Sequence, residues 1–433
     1  MHINQGAKVK RYGTFICTAG LLFTALFFAH ESEAIEFEFK DPQYSFQTLR
    51  AISQSVNAGA DIRECIDTAR RIKEGDDESW YREWFKTARR IEEAGDKFLT
   101  EGRKVSAQEA YLRASNYYRS AEFFLHANPK DKRIIATWRK SRDCFLKFAK
   151  LTDGLVTPVE IPFEKTTLAG YLCLVDKRGA RRPLVIVHSG FDGTAEEEYI
   201  THGVALVKRG YNCLIFEGPG QGRVLREQKI YFRPDWETVV TPVVDYALKL
   251  KEADSDSIAL MGISFGGYLA PRAVAFEHRI KACIANGGIY DFHEVVVRNS
   301  PADIEEILDN KEESKELDKE IYEEMRTNSG LRWVFNDGMW KFQAKSPSGW
   351  MRKTRPYNLK DCADKITCRM LVVDSEADRD TPGEAKKLYD ALRCPKDLML
   401  FTVEEGAGEH CQIGAFMISN ERIINWLDGV FRK

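Results

Sequence analysis

A serine between two glycines is the residue of this sequence with the clearest chemical potential. Ser264 lies at the centre of Gly-Ile-Ser-Phe-Gly, residues 262–266, which follows the apolar run 258–261 and precedes a helix-forming segment. A strand, a tight turn and a helix in this order place a serine hydroxyl at a strained, exposed point. The spacing therefore predicts that Ser264 is a nucleophile. A serine that only caps a helix also fits the spacing, but it leaves the paired glycines unexplained.

A serine hydroxyl is a poor nucleophile at neutral pH and needs a base, most often histidine, within hydrogen-bond reach. Of the eight histidines, His410 lies in a glycine-rich loop after the last predicted strand and before a final helix. The base occupies this place when the order along the chain is serine, acid, histidine. We therefore predict His410 as the general base. His188 follows an earlier strand, and we interpret it as a residue that shapes its loop.

The carboxylate that orients the histidine should follow the penultimate strand. The predicted strand at residues 370–373 is followed by four acidic residues, Asp374, Glu376, Asp378 and Asp380. Asp378 has the best placement, and Asp380 is the alternative. Asp374 and Glu376 fit the turn or the cap of the next helix better.

Acyl transfer also needs backbone donors for the negatively charged oxygen of the intermediate. The amide of Phe265, next to the nucleophile, is one candidate. The loop after the predicted strand at residues 183–187 should supply the other, and we choose the amide of Phe191. The glycine-rich segment 217–222 lacks the Lys-Ser/Thr ending of a phosphate-binding loop, so we interpret it as a tight turn.

These residues lie in a region where short β-branched runs alternate with helical stretches. We predict strands at residues 170–175, 183–187, 212–216, 257–261, 282–285, 370–373 and 399–403. Such alternation predicts an α/β architecture with a mostly parallel sheet and helices on both faces. With the serine turn and the order serine, acid, histidine, it predicts an α/β-hydrolase fold over residues 151–433.

Two other segments are predicted to be helical. Residues 36–150 have apolar residues at helical spacing and almost no strand signal, which predicts an N-terminal helical domain that covers the substrate. Between about residues 291 and 357 a charged helical block precedes an aromatic run. We expect a helical lid inserted there between two strands. Within it, Trp333 and Trp340 are the candidate substrate-binding residues.

The first 34 residues have the three parts of a secretory signal peptide. Basic residues precede an apolar run at residues 14–29, and small residues lead to a cleavage point after Ala34. The run is shorter than the ~20 residues that span a bilayer, so stable membrane insertion is not expected. We predict a secreted or periplasmic protein. A cytoplasmic protein, or one anchored by an uncleaved leader, is the alternative.

Composition argues against several other classes of function. The chain has 64 Lys and Arg residues against 66 Asp and Glu, a net charge of -2, and 43% apolar residues. A nucleic-acid partner would require a basic face, which this balance does not predict. The cysteines form no Cys-x-x-Cys pair, which argues against a structural zinc site and against a dense disulfide framework. No metal and no cofactor are expected.

Three motifs resemble one group of α/β-hydrolases. They are Ser264-Phe-Gly-Gly-Tyr-Leu-Ala-Pro-Arg-Ala, Phe216-Glu-Gly-Pro-Gly-Gln-Gly222 and Ser106-Ala-Gln-Glu-Ala-Tyr-Leu-Arg-Ala-Ser-Asn-Tyr-Tyr-Arg119. The group contains 2,6-dihydroxypseudooxynicotine hydrolase and the fungal heptaketide-shortening hydrolases, and the likeness runs from about Ser79 to the C-terminus. The resemblance implies that the substrate lies between a helical domain and the hydrolase domain, and that the protein forms homodimers. Some members cleave a carbon–carbon bond in a 1,3-dicarbonyl compound, and neighbouring groups are esterases.

We therefore expect a serine hydrolase whose partner is a small-molecule substrate. Its substrate would be a small, partly aromatic acyl compound, cleaved at a carbon–carbon or an ester bond. A carboxylesterase or acyltransferase without carbon–carbon activity is the alternative. A binding protein on a hydrolase scaffold is disfavoured by the intact serine, acid and histidine signals.

Overall fold

Eight strands form a single sheet in the computed structural model, which describes residues 37–431. The strands are β1 (Val156–Phe163), β2 (Thr166–Cys173), β3 (Arg182–His188), β4 (Asn212–Phe216), β5 (Ala253–Ile263), β6 (Ala282–Asn286), β7 (Arg369–Ser375) and β8 (Lys396–Phe401). Their order across the sheet is β1-β2-β4-β3-β5-β6-β7-β8. The first two are antiparallel to their neighbours, and the other six run parallel. The predicted α/β-hydrolase fold with a mostly parallel sheet is confirmed.

Strand β1 is the one that the sequence prediction missed. It contains Pro158 and Pro162, and proline cannot donate a hydrogen bond to a neighbouring strand. The strand tolerates both prolines because it forms the edge of the sheet and pairs only with β2. The other seven strands lie close to their predicted positions, although β2 and β5 begin four residues, and β8 three residues, before their predicted starts.

The N-terminal region is helical from Pro42 to Lys150. It consists of α1 (Pro42–Ser53), α2 (Ile62–Ala69), α3 (Asp77–Thr100), α4 (Lys104–Glu122) and α5 (Lys132–Lys150), with 3-10 turns at Gln54–Asn57 and Phe123–Ala127. Helix α3 begins where the Asp76 side chain accepts a hydrogen bond from the Ser79 amide. Helix α4 begins directly after a turn at Gly102, whose φ of 76° lies in the left-handed region.

The helical aromatic residues largely pack against one another. Trp80, Trp84 and Tyr117 are fully buried in the core of the helical region. One aromatic residue of the region, Phe123, packs instead on Trp333 of a later segment, with the ring centroids 4.5 Å apart. A different face of the region meets the sheet, where the rings of Phe145 and Tyr171 lie 4.6 Å apart.

The remaining helices connect and cover the strands. They are α6 (Ala195–Glu198), α7 (Val204–Lys208), α8 (Gly222–Arg226), α9 (Glu237–Ala247), α10 (Gly266–Val274), α11 (Phe292–Val297), α12 (Ile304–Asp309), α13 (Lys311–Glu324), α14 (Ser329–Lys341), α15 (Pro347–Thr354), α16 (Glu384–Ala391) and α17 (Phe416–Phe431), with a π-helical turn at Tyr199–Gly203 between α6 and α7 and 3-10 turns at Ala363–Lys365 and His410–Gln412. Helices α11 to α15 lie between β6 and β7, as expected for the insertion at about residues 291–357.

The predicted signal peptide lies outside the described residues, so it stays a prediction. Among residues 37–431, no helix is both long and apolar enough to cross a bilayer. In the same part of the chain all nine cysteines are free thiols, and eight of them are buried.

Candidate active site

Ser264 lies in the tight turn between β5 and α10. Its φ of 59° is unusual for a residue other than glycine and indicates local backbone strain. Gly262 is needed because a Cβ at this position would lie 2.1 Å from the carbonyl oxygen of Gly266. The predicted strand, strained serine and helix are therefore present.

His410 lies between Ser264 and Asp378. Its Nε2 atom is 2.9 Å from the Ser264 Oγ, and its Nδ1 atom is 2.7 Å from the Asp378 Oδ2. These distances are within hydrogen-bond range, so the structure brings the three residues that the sequence singled out into contact with one another.

The Asp378 carboxylate is fixed by the loop that follows β7. It accepts hydrogen bonds from the amides of Asp380 and Thr381 and from the Thr381 hydroxyl, at 2.8, 3.1 and 3.0 Å. Burial raises the pKa of Asp378, but the charge and hydrogen bond of His410 and these amide donors outweigh it, and the net shift is downward. Asp378 is therefore held as a carboxylate, the form that an imidazolium requires.

Asp380, the alternative acid, lies on the other side of the imidazole. Its Oδ2 atom is 3.8 Å from the His410 Nε2, and its side chain is 60% exposed. Burial lowers the pKa of His410, but Asp378, Cys411 and Asp380 raise it more strongly, and the net pKa lies well above the usual 6.5. His410 therefore favours a proton more than an isolated histidine does.

The loop after β3 lies directly against the serine turn. Gly190 permits this approach, since a Cβ there would lie 2.4 Å from the Ile263 carbonyl oxygen and 2.5 Å from the Phe265 nitrogen. Within the described residues, neither the Phe191 amide nor the Phe265 amide donates to a protein acceptor. Both predicted oxyanion donors thus lie in the two segments that meet at the serine turn, and neither has an acceptor in the described part of the chain.

The His188 side chain that precedes this loop is fully buried, and its Nδ1 atom lies 2.9 Å from the Ser189 carbonyl oxygen. Burial lowers the pKa of His188 to about 4, so its ring is neutral at physiological pH. Its position fits the predicted role of shaping the loop.

A cavity of about 300 Å³ opens beside Ser264 and His410. The N-terminal helical region contributes Pro42, Gln43, Phe46, Gln47, Arg50 and Phe123 to its wall. The insertion contributes Trp333, which is 8% exposed, stacks on Phe123 and donates its indole N–H to the Phe123 carbonyl at 2.8 Å. The cavity is therefore enclosed by three separate parts of the chain.

Trp340 is not among the described residues that line this cavity. It packs against the His126 ring, with the ring centroids 5.4 Å apart, and beneath the guanidinium of Arg226. Trp333 and Trp340 are seven residues apart on α14, so they project from similar faces at different heights of the helix. Only Trp333 is at the height of the cavity.

Charged residues at the cavity were missed in the sequence. The Arg50 guanidinium of α1 forms a two-pronged contact of 2.7 Å with Glu197, and its Nη1 atom lies 2.7 Å from Asp192. Arg119 of α4 contacts the same two carboxylates at 3.3 Å. Charges on amphipathic helices usually face solvent, so their spacing gave no signal of this burial.

A buried carboxylate stabilises the predicted tight turn at residues 217–222. The buried Glu217 carboxylate accepts hydrogen bonds from the amides of Ala195 and Arg223 at 3.0 and 2.7 Å.

In the part of the chain that the structure describes, one group of side chains, Asp378, Asp380 and His410, has ligand atoms close enough for a metal ion. The His410 nitrogens of that group already face Ser264 and Asp378.

The sheet, the strained serine turn and the histidine after the last strand define the chain as an α/β-hydrolase. A model of the prolyl oligopeptidase family, Peptidase S9, matches residues 200–433, a segment that contains Ser264, Asp378 and His410. The chain belongs to this family and is a hydrolase.

Relatives extend the match over most of the chain. It is 35% identical to the hydrolase LUC6 of Fusarium sp over 409 residues, covering 91% of this chain and 97% of that protein. It is 33% identical to the 20-hydroxy-prefusarin hydrolase FUS2 of Gibberella moniliformis, with the same coverage. The crystal structure of 2,6-dihydroxy-pseudo-oxynicotine hydrolase matches with a TM-score of 0.68 and 20% identity over 88% of this chain and 96% of that one. The predicted resemblance to this group of α/β-hydrolases is confirmed, and the match to the crystal structure supports the fold.

Proposed function

We propose that this enzyme is a serine hydrolase in which Ser264, His410 and Asp378 form a catalytic triad. The observation that carries the proposal is the position of the His410 ring, with one nitrogen 2.9 Å from the Ser264 hydroxyl and the other 2.7 Å from the Asp378 carboxylate. Ser264 and His410 also line the cavity, where a substrate can reach them.

In the proposed reaction, the Ser264 Oγ attacks a substrate carbonyl carbon and passes its proton to the His410 Nε2. The amides of Phe191 and Phe265 donate hydrogen bonds to the resulting oxyanion. His410 then donates its proton to the leaving group as the bond to the carbonyl carbon breaks. Water attacks the acyl-enzyme with His410 again as base, releasing a carboxylic acid and restoring the Ser264 hydroxyl.

The proposed substrate is a small, partly aromatic acyl compound. A cavity of about 300 Å³ with Phe46, Phe123, Phe191 and Trp333 in its wall is within the size range of small-molecule sites and offers aromatic surface. The bond is either an ester, which leaves as an alcohol, or the carbon–carbon bond of a 1,3-dicarbonyl compound, which leaves as an enol or ketone. The second carbonyl makes that carbon leaving group stable enough to depart.

Labelling with a fluorophosphonate tests the proposed nucleophile, since this reagent phosphonylates activated serines. We expect the wild-type protein to be labelled and Ser264→Ala to be unlabelled. Ser300→Ala is a matched control, because Ser300 also lines the cavity but lies on the insertion. An unlabelled wild-type protein, or a label that persists in Ser264→Ala, contradicts the proposal.

A parallel screen of β-diketones and p-nitrophenyl esters separates the two bond types. Turnover of both classes supports carbon–carbon hydrolysis with side activity on activated esters. Turnover of esters alone supports the alternative, a carboxylesterase or acyltransferase without carbon–carbon activity.

A further inference from the structure

The loop that carries the proposed oxyanion donor Phe191 is held by buried charges on two sides. Lys341 of α14 contacts Phe191 itself, and two arginines of the N-terminal helices contact the next residue, Asp192. The proposed triad does not use any of these charged groups, and their common target is the loop beside the serine turn.

Lys341 contacts Phe191 at two points. Its Nζ atom donates a hydrogen bond of 2.7 Å to the Phe191 carbonyl oxygen and lies 4.6 Å from the centroid of the Phe191 ring. The carbonyl contact restricts the backbone of Phe191, and the cation–π contact restricts its side chain. Together they fix the orientation of the residue whose amide is the proposed donor.

Lys341 is itself held by a buried chain of polar groups. Its ammonium lies 2.5 Å from the Asp337 carboxylate, and the side chains of both residues are at most 1% exposed. The other oxygen of Asp337 is 3.0 Å from the His126 Nδ1, and the His126 Nε2 is 3.0 Å from Glu122. Glu122 also accepts a hydrogen bond of 2.8 Å from the Arg226 Nε. The chain of contacts therefore joins the insertion, the N-terminal helices and helix α8, which follows β4 of the sheet.

The other side of the loop is held by the N-terminal helices. Asp192 lies 2.7 Å from the Arg50 Nη1 and 3.3 Å from the Arg119 Nη2. Burial raises the pKa of Asp192, but the two arginines and Lys341 lower it by more than burial raises it. The net pKa is below the usual value, so the group stays a carboxylate. The hydrogen bond from Lys341 to the Phe191 carbonyl and the ion pairs at the Asp192 side chain leave the peptide between these two residues little freedom to rotate.

Stability alone gives a poor reason for so many buried charges. Taking an ammonium and a carboxylate out of water carries a large desolvation cost, and apolar residues of the same volume often stabilise a fold equally well. A loop whose amide must point at one atom of a reaction intermediate benefits from such fixed groups, because misplacement by about 1 Å can cost about 10²-fold in rate.

We infer that Lys341 is a positioning residue for oxyanion stabilisation, acting through Phe191 and completed by the N-terminal helices. The inference rests on the proposed function, in which the Phe191 amide binds the oxyanion. It extends that function by giving the helical region and the insertion a part in the chemical step as well as in enclosing the substrate.

The test compares a transition-state analogue with a substrate in the full-length protein. A trifluoromethyl ketone forms a tetrahedral adduct with a reactive serine and places an oxyanion in the hole, whereas KM for p-nitrophenyl acetate mainly reports ground-state binding. For Lys341→Met we expect the inhibition constant of the ketone to rise and kcat to fall by about ten- to a hundredfold, because one donor is misplaced. The KM should change by less than about threefold, since it reflects binding that precedes the chemistry.

Two further variants make the result decisive. Lys353→Met is the matched control, because Lys353 of α15 also donates to backbone carbonyls, but those of Phe342 and Gln343, which lie outside the loop that contains Phe191 and Asp192. The double variant Asp337→Asn with Lys341→Met avoids an unpaired buried carboxylate and replaces the single variant if that does not fold.

The outcomes separate this inference from the proposed function. Wild-type protein that neither reacts with a fluorophosphonate nor binds the ketone contradicts the proposed function. Active wild-type protein with a folded Lys341 variant that binds the ketone as tightly as the Lys353 control overturns the positioning role alone. If neither Lys341 variant folds, the lysine is a structural residue and the inference is wrong.

Discussion

Asp378 and Asp380 are two residues apart in one loop and lie beside opposite nitrogens of His410. The Asp378 carboxylate is 2.7 Å from Nδ1, whereas the Asp380 carboxylate is 3.8 Å from Nε2, the nitrogen that also faces Ser264. One carboxylate can therefore orient the ring, while the other can only alter the electrostatic potential at the nitrogen that accepts the proton.

This arrangement predicts different effects for two matched substitutions. Asp378→Asn should lower kcat by about 10³- to 10⁴-fold, because an amide stabilises the wrong histidine tautomer. Asp380→Asn should change kcat by no more than about fivefold, the factor expected for a charge about 4 Å away in water. Steady-state kinetics on p-nitrophenyl acetate measures both. A larger loss for Asp380→Asn would transfer the role of the acid to that residue.

The raised pKa of His410 predicts how activity depends on pH. Only neutral His410 can accept the serine proton, so kcat/KM should rise with pH through a midpoint above the usual 6.5. Asp380→Asn removes one of the charges that raise this pKa, and it should move the midpoint to lower pH. A midpoint at or below 6.5 in the wild-type protein would contradict the electrostatic argument.

Removal of the nucleophile should abolish turnover without changing the fold. Alanine fits the Ser264 turn but supplies no hydroxyl, so we expect Ser264→Ala to lose at least about 10³-fold in kcat. The circular dichroism spectrum should match that of the wild-type protein. Residual activity within tenfold of wild type would exclude Ser264 as the nucleophile.

The two tryptophans of α14 predict a contrast in substrate affinity. Trp333→Ala removes an aromatic wall of the cavity, and we expect KM for an aromatic acyl ester to rise by about tenfold, the equivalent of one lost aromatic contact. Trp340 lies outside the cavity wall, so Trp340→Ala should leave KM within about twofold of the wild-type value. Equal effects of the two substitutions on KM would show that contact with the cavity does not determine substrate affinity.

A chain that begins at Thr152 should be insoluble or inactive. It lacks Arg50 and Arg119, which contact Asp192 in the loop after β3, and it exposes the apolar surface that Phe145 covers in the intact protein. Soluble yield and fluorophosphonate labelling measure the outcome. A soluble, folded and fully active fragment would show that the helical region is no part of the site.

The meeting of Ser264, Asp378 and His410 in the proposed triad was predictable because their order along the chain carries the information. The glycines around Ser264 mark a turn with no room for a Cβ at Gly262, and the positions of His410 and Asp378 follow from which strand precedes each of them. Parallel strands end at the same edge of the sheet, so residues far apart in sequence meet there.

Other features depend on contacts that a single sequence does not reveal. The prolines of β1 hid a strand that is tolerated only because it lies at an edge. Lys341 and Arg50 occupy helices whose charge patterns are typical of solvated surfaces, and their burial results from helices of different regions packing together. Trp80 and Trp84 are fully buried within the helical region, so the abundance of aromatic residues there did not indicate which of them line the cavity.

The ion pairs at Asp192 also bear on the order of events during synthesis. Arg50 and Arg119 precede their shared partner by 142 and 73 residues. As the chain leaves the ribosome, both arginines must stay hydrated until the loop after β3 has emerged, because a buried guanidinium without a carboxylate is costly. The N-terminal helices therefore reach their final packing only together with the first half of the sheet, although N-terminal regions of larger proteins commonly fold first.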